Sequence, residues 1–220
     1  TYPDVAEKRL DPVFHYEHFG AQELKNPGPL FDAEWYIKGN CDPEAKENPL
    51  RHFLYRGWKE HKNPHPLFDV SFYLERNEDV REANINPLSH FIVDGWSQMR
   101  DPHVLFDVSY YLQQNADVAY AGINPLAHFL ARGAWEQRNP HPLFDIAFYL
   151  HQNLDVAQSG VNPLLHFILK GSREGRSPHP LFDSRFYLDQ FPPEQVQPIE
   201  NPLVHYLSAS GAEFDPHPLF

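Results

Sequence analysis

The 220-residue sequence lacks the features that define several classes of protein. Its single cysteine, Cys41, excludes an internal disulfide and a thiolate metal site. Lys and Arg number 18 against 30 Asp and Glu, which gives a net charge of -12. Because phosphate backbones are bound by clusters of cations, we expect no nucleic acid partner. The longest apolar stretch, 164–169, is interrupted by His166 and is far shorter than the roughly 20 residues of a membrane span, so we expect no transmembrane segment.

Common catalytic motifs are missing as well. The sequence contains no Gly-x-Gly-x-x-Gly, Gly-Lys-Ser/Thr, His-Glu-x-x-His or Gly-x-Ser-x-Gly, and no two aspartates stand two positions apart. We therefore expect this segment itself to be non-catalytic and to need no cofactor. Apolar residues nevertheless make up 41% of the chain and aromatic residues 15%, enough to fill a hydrophobic core, which argues against intrinsic disorder.

What the sequence does contain is a repeat of 37 or 38 residues. Leu-Phe-Asp opens each copy, and an aromatic-Tyr-aliphatic triplet follows. Asn-Pro-Leu-x-His-aromatic marks the second half, a glycine stands five residues after the histidine, and Pro-His-Pro or a near relative closes the copy. We divide the chain into a partial repeat at 1–29, repeat 1 at 30–66, repeat 2 at 67–104, repeat 3 at 105–142, repeat 4 at 143–180 and a divergent repeat 5 at 181–220. We expect one continuous repeat domain that is a piece of a longer chain, because both ends fall inside a repeat.

Each half of the repeat predicts a short helix. In the first half the aspartate of Leu-Phe-Asp is placed to cap the helix, and in the second half asparagine is the cap and proline takes the first helical position. The glycine is predicted to end the second helix in a left-handed conformation. The predicted structural caps are Asp69, Asp107, Asp145 and Asp183 for the first helix, Asn86, Asn124 and Asn162 for the second, and Gly57, Gly95, Gly133 and Gly171 at its end.

Helices this short are marginal alone, so their stability must come from packing. We predict that neighbouring repeats stack their apolar stripes into one continuous core. The predicted fold class is all-α: tandem helix-turn-helix repeats, about five to six of them, stacked as an α-solenoid-like array with Pro-rich connecting loops.

Histidines recur at two positions of the repeat, one in the second helix and one in the Pro-rich loop. A metal ion needs three or four ligands near 2 Å, whereas equivalent positions on packed helices lie roughly 8 to 10 Å apart, so we expect no shared metal site. The remaining metal hypothesis is a site made of two histidines of one repeat and a carboxylate. Its candidate ligands are His90, His103, His128 and His141. The interpretation that we favour is that these imidazoles form hydrogen bonds with loop backbone.

Three tryptophans, Trp58, Trp96 and Trp135, stand just after the second-helix glycine, at a junction where a side chain can be half exposed. Tryptophan is favoured at interaction surfaces, so these residues are candidates for stacking on sugar rings or anchoring a protein partner. The interpretation that we favour for them is packing in the core or between repeats.

The repeated unit, Phe-Asp-x-x-Tyr-Tyr-Leu-x-x-Asn-x-Asp-Val-Ala followed by Asn-Pro-Leu-x-His-Phe, Gly and Arg-x-Pro-x-Pro-Leu-Phe-Asp, resembles a known family of repeats. These accompany glycosyltransferase domains in bacterial surface-polysaccharide proteins, including rhamnan-synthesis-like ones, and similar segments occur in large secreted bacterial proteins. The resemblance covers about residues 27–220, and 41–47 and 195–200 depart from the pattern. It implies a bacterial origin and a non-catalytic accessory module.

These observations support three hypotheses. The first is a binding or scaffolding module, with a protein or glycan partner, attached to a surface-polysaccharide glycosyltransferase in the same chain. The second is an integral part of such an enzyme that shapes its acceptor site, and the third is an extracellular adhesin-like or metal-dependent segment. We expect the bacterial cytoplasm, including the periphery of a membrane, rather than secretion.

Overall fold

The computed structural model describes residues 11–192, 199–208 and 213–219 of the chain. Parts of the predicted partial repeat and of repeat 5 lie outside these ranges. The described residues form short α-helices. They are α1 (Pro12–His15), α2 (Ala33–Lys38), α3 (Pro43–Glu47), α4 (Pro49–Tyr55), α5 (Val70–Arg76), α6 (Glu78–Glu82), α7 (Pro87–His90), α8 (Val108–Gln114), α9 (Ala116–Tyr120), α10 (Pro125–His128), α11 (Ile146–Gln152), α12 (Leu154–Ser159), α13 (Pro163–His166), α14 (Ser184–Asp189) and α15 (Pro202–Leu207).

The predicted all-α class and the repetition of short packed helices are confirmed. Within the described ranges the extended pairing is limited to isolated bridges between a connector residue and the phenylalanine of Leu-Phe-Asp, such as His141 with Phe144. Among the described second helices, four continue past their histidine as one wider π-helical turn, and α4 is followed by a 3₁₀ turn at Gly57–Glu60. The π turns are Tyr16–Gly20, Phe91–Gly95, Phe129–Gly133 and Phe167–Gly171.

A third helix stands where the sequence predicted a turn. Among the described residues, repeats 1 to 4 each insert a helix of five or six residues between the first and second helices, namely α3, α6, α9 and α12. In repeats 2 to 4 this middle helix is followed by a left-handed residue, Asn84, Gly122 or Gly160. The left-handed residue turns the chain into the second helix.

The core consists of one aromatic cluster in each repeat. In repeat 3, Phe106 from the connector, Tyr111 from α8 and Phe129 from the second helix are fully buried. Their ring centroids lie 5.3 to 6.0 Å apart, and Tyr111 meets Phe129 edge to face. The equivalent trios are Phe31, Tyr36 and Phe53; Phe68, Tyr73 and Phe91; Phe144, Tyr149 and Phe167; and Phe182, Tyr187 and Tyr206.

The short helices pack in the same way in one repeat after another, as the predicted helical array requires. Among the described helices, those that pack extensively against each other belong to the same repeat. Each aromatic cluster therefore lies among the helices of one repeat.

The Pro-rich connector starts the next repeat and also closes its own. Asn139 accepts a hydrogen bond from the N–H of Ile146 (2.9 Å), and Asp145 caps the same helix by accepting from Phe148 (2.9 Å). The carbonyl of Pro140 accepts a hydrogen bond from the N–H of Asp107 (3.0 Å), which lies at the beginning of the same repeat. The connector therefore positions two consecutive first helices.

The chain divides into two compact units, residues 1–93 and 94–220. The first holds repeat 1 and the three helices of repeat 2. The second begins at the end of repeat 2 and holds repeats 3 to 5.

Candidate functional site

A buried tyrosine and a histidine form the polar centre of each complete repeat. The tyrosine comes from the first helix and the histidine from the second, and the tyrosine Oη lies 2.6 to 2.9 Å from the histidine Nδ1. Burial raises the pKa of Tyr36, Tyr111, Tyr149 and Tyr187, to about 12 at Tyr187, so these hydroxyls stay protonated. The pairs are Tyr36 with His52, Tyr73 with His90, Tyr111 with His128, Tyr149 with His166 and Tyr187 with His205.

The tyrosine–histidine pair fits against the second helix because the residue there is glycine, which has no side chain. A Cβ atom added to Gly57, Gly133 or Gly171 would overlap the hydroxyl oxygen of Tyr36, Tyr111 or Tyr149, and would also lie 3.2 to 3.3 Å from the Nδ1 atom of the paired histidine. The predicted left-handed ending at Gly57, Gly95, Gly133 and Gly171 is wrong, because none of them has a positive φ. The helical path continues through the glycine, and the left-handed residue comes four positions later, at His61, Met99, Gln137 and Gly175.

An asparagine of the Asn-x-Asp-Val motif binds the backbone of the same tyrosine. The side-chain NH₂ of Asn115 donates to the carbonyl of Tyr111 (2.7 Å), and its oxygen accepts from Arg138 (3.1 Å). Arg138 also donates to Asp117 (2.7 Å) and Glu136 (2.6 Å). Repeat 4 has the same arrangement around Arg176, whose hydrogen bonds lower the pKa of Asp155 to about 2. Sequence reasoning missed these arginine networks, although the 21-residue spacing of aspartate and arginine recurs.

In repeat 1 the corresponding aspartate has different hydrogen-bond and ionic partners. Asp42 accepts from the N–H of Glu44, the main cause of its lowered pKa, and pairs with Arg56 (3.1 Å) of the second helix. Its Oδ2 also lies 3.6 Å from Nε2 of His52, a side chain that is 1% exposed and whose Nε2 makes no hydrogen bond. A cleft of about 370 Å³ lies beside these groups. It is lined by Glu44, Glu47, Asn48, Arg51, His52, Tyr55 and Arg56.

The connector histidines fold back onto their own backbone. Nδ1 of His65, His103, His141 and His179 accepts a hydrogen bond from the N–H two residues later, at 3.0 Å in each case. An imidazole can accept in this way only when Nδ1 is unprotonated. Burial lowers the pKa of His141 to about 4 and lowers that of His179.

The four histidines proposed as metal ligands have their Nδ1 atoms directed at other groups of the protein. Nδ1 of His128 faces the Tyr111 hydroxyl, and Nδ1 of His141 accepts a backbone hydrogen bond. His90 likewise faces Tyr73, and His103 makes the connector bond. Among the described residues no three His, Cys, Asp or Glu side chains converge as a metal site.

The three candidate tryptophans do not share one environment. Trp58 is 7% exposed and its Nε1–H donates to the carbonyl of Leu54 (3.1 Å), so this ring packs in the core, as the favoured interpretation expects. Trp96 is half-buried. Trp135 is 55% exposed, and its Nε1–H donates to the carbonyl of Gly160 in the next repeat (3.2 Å). Trp58 and Trp96 directly follow the glycine, whereas Trp135 stands one position later, a difference that the sequence itself carries.

Exposed apolar side chains recur at equivalent positions outside the cores. In the first unit, Leu54 and Ile92 stand two residues after the second-helix histidine, and Tyr55 and Val93, which are 75% and 71% exposed, stand three residues after it. In the second unit, Ile123 and Val161 are exposed directly before the asparagine cap. A single exposed apolar residue is ordinary, but recurrence at one position of the repeat marks a surface.

Comparisons with protein-family models, with curated proteins and with solved structures found no match to this chain. Among the described helices, none combines the length and the hydropathy that crossing a bilayer requires.

Proposed function

We propose that this chain is a non-catalytic repeat module that binds a protein or glycan partner, attached to a bacterial surface-polysaccharide glycosyltransferase. The observation that carries the proposal is the recurrence of exposed apolar side chains, Tyr55 and Val93 above all, at equivalent positions of the second helices. Burying such residues against a partner releases free energy in proportion to the apolar area that is covered.

The polar groups of the cores support a binding role over catalysis. The tyrosine hydroxyls and paired histidines contact each other, and the buried asparagines bind helix backbone. Groups that are held in this way stabilise the repeat, and their hydrogen bonds are made within it. The partner is therefore expected at the outer surface rather than at the tyrosine–histidine pairs.

The test is a binding assay in two arms, one with the purified adjoining catalytic domain and one with purified bacterial surface polysaccharides. Tyr55→Ser with Val93→Ser is expected to weaken binding to a protein partner at least 10-fold, whereas Trp135→Ala is expected to weaken binding to a glycan. Glu75→Gln, an exposed change on α5, is the matched control. Sugar transfer or hydrolysis by residues 1–220 alone would overturn the proposal.

A second measurement separates this proposal from the enzyme-completing alternative. The glycosyltransferase domain is assayed with and without residues 1–220. A binding module leaves the turnover number on a soluble acceptor within about twofold, whereas a domain that shapes the acceptor site changes it strongly.

A further inference from the structure

The connector turn depends on the protonation state of one histidine. In repeat 3 the carbonyl of His141 accepts the N–H of Phe144 (3.0 Å), while its Nδ1 accepts the N–H of Leu143 (3.0 Å). The turn places Phe144, which is fully buried, into the core of repeat 4. It also places Asp145 at the start of α11, where that carboxylate caps the helix. The same four-residue turn recurs at His179.

Protonation of Nδ1 removes the acceptor and puts a second N–H against the backbone N–H of Leu143. The hydrogen bond is lost and replaced by repulsion between two donors. Because the ring is partly buried, water replaces the lost bond poorly. The turn is therefore stable only with a neutral imidazole that carries its proton on Nε2.

The charges that face these two imidazoles act in both directions. His141 is faced by Asp107 from the start of its own repeat, which favours the protonated form, and by His179 of the next connector, which disfavours it. His179 is faced by Asp145. Burial outweighs these charges and lowers both pKa values, that of His141 to about 4. An unfolded histidine takes up a proton below pH 6.5. The contribution of such a histidine to the free energy of unfolding is therefore constant above pH 6.5 and falls as the pH drops towards 4.

We propose that the connectors make the repeats an acid-sensitive switch, in which protonation of His141 and His179 releases the connector turns and opens the second unit. The exposed apolar side chains of the second unit, Ile123, Trp135 and Val161, would then be offered to a partner at neutral pH and lost as the pH approaches 4.

Asparagine supplies a variant that keeps the bond and removes the titration. Its Oδ1 occupies the position of Nδ1 along the side chain, and Asn162 already accepts the N–H two residues later (3.0 Å) in this protein. The experiment measures urea unfolding of residues 1–220 at pH values from 7.5 to 4. The variants are His141→Asn, the double variant with His179→Asn, and His151→Asn, an exposed histidine on α11 outside the connectors.

Between pH 7.5 and 4, the folded-to-unfolded ratio of the wild type is expected to fall on the order of 100-fold further than that of His141→Asn. The double variant is expected to flatten the profile more, and His151→Asn to follow the wild type. Equal pH profiles for the wild type and the double variant would overturn the proposal.

Wild-type protein provides a measurement that does not depend on the folding of a variant. The ¹⁵N chemical shifts of the histidine rings report which nitrogen carries the proton. For His141 we expect an unprotonated Nδ1 at pH 7 and a titration midpoint well below 6.5. A midpoint at or above 6.5, or a proton on Nδ1 at neutral pH, would contradict the switch.

Discussion

Repeat 1 and repeat 4 hold the same tyrosine–histidine pair with different ionic partners. In repeat 4 the aspartate of the middle helix pairs with Arg176 from the connector, 21 residues away, and His166 is half-buried. In repeat 1 the corresponding Asp42 pairs with Arg56 of the second helix, and the side chain of His52 is 1% exposed. The pair and its glycine are common to both, so the aromatic centre defines the repeat, and the ions around it are interchangeable.

The glycine substitutions are expected to have the largest effect in both repeats. Gly57→Ala and Gly171→Ala each place a methyl group onto a tyrosine hydroxyl, which should lower the free energy of unfolding by about 3 kcal/mol. Gly39→Ala is the control, since its added Cβ would lie no closer than 3.8 Å to its neighbours. Urea unfolding measures all three, and equal effects at Gly39 and Gly57 would contradict the steric account.

Removal of the tyrosine hydroxyl sharpens the difference between the two repeats. Tyr36→Phe strands a histidine that water cannot reach and should cost about 2 kcal/mol, whereas Tyr149→Phe leaves His166 with some access to water and should cost about 1 kcal/mol. The comparison uses equilibrium unfolding of both variants at pH 7.5. A larger loss for Tyr149→Phe would show that exposure of the histidine does not decide the cost.

The arginine substitutions test whether the ionic partners are secondary. Arg176→Ala removes bonds from the connector to Asn153 and Asp155, and should lower the melting temperature by about 2 to 4 °C. Arg56→Ala should lower it less, because Arg56 is 55% exposed and its Asp42 keeps a backbone hydrogen bond. Both losses should shrink in 0.5 M salt, and a salt-independent loss would argue against an ionic origin.

The smallest effect is expected at the left-handed position after the second helix. Gln137 holds a φ of 56° in repeat 3, and Gly175 holds 68° at the equivalent place in repeat 4. Gln137→Gly should therefore raise the free energy of unfolding by about 0.5 kcal/mol, and Gly175→Ala should lower it by about 1 kcal/mol. Thermal unfolding of the two variants shows whether each substitution stabilises or destabilises the protein. Stabilisation by Gly175→Ala would contradict the argument from the left-handed backbone conformation.

The sequence predicts local features of the fold well, because their causes lie within a few residues. Asp69 caps the first helix of repeat 2 by accepting from Phe72, and Asn86 caps the second by accepting from Ser89, at the positions where the residue pattern places them. The middle helix was missed because five residues carry too little periodicity to predict a helix. The left-handed residue after this helix in repeat 2, Asn84, could not be predicted either, because asparagine tolerates the left-handed region without requiring it.

The candidate site was less predictable because its contacts join distant parts of the repeat. Gly133 is helical, and its role follows from the position of the Tyr111 hydroxyl, 22 residues earlier, which spacing alone does not reveal. The histidines were predicted to bind loop backbone, and His141 does so, whereas His128 faces Tyr111 instead. The tryptophans were grouped by proximity to glycine, although Trp135 lies one position out of register with Trp58.

A double-mutant cycle between Gly171 and Tyr149 tests most directly whether glycine and tyrosine hydroxyl form one steric unit. Gly171→Ala, Tyr149→Phe and the combination are compared by urea unfolding at pH 7.5. Because phenylalanine removes the oxygen that the new methyl group would overlap, the combined loss should be smaller than the sum of the single losses by about 1 to 3 kcal/mol. Losses that add to within about 0.5 kcal/mol would mean that the two residues act independently, and the tyrosine–histidine–glycine centre would not define the repeat.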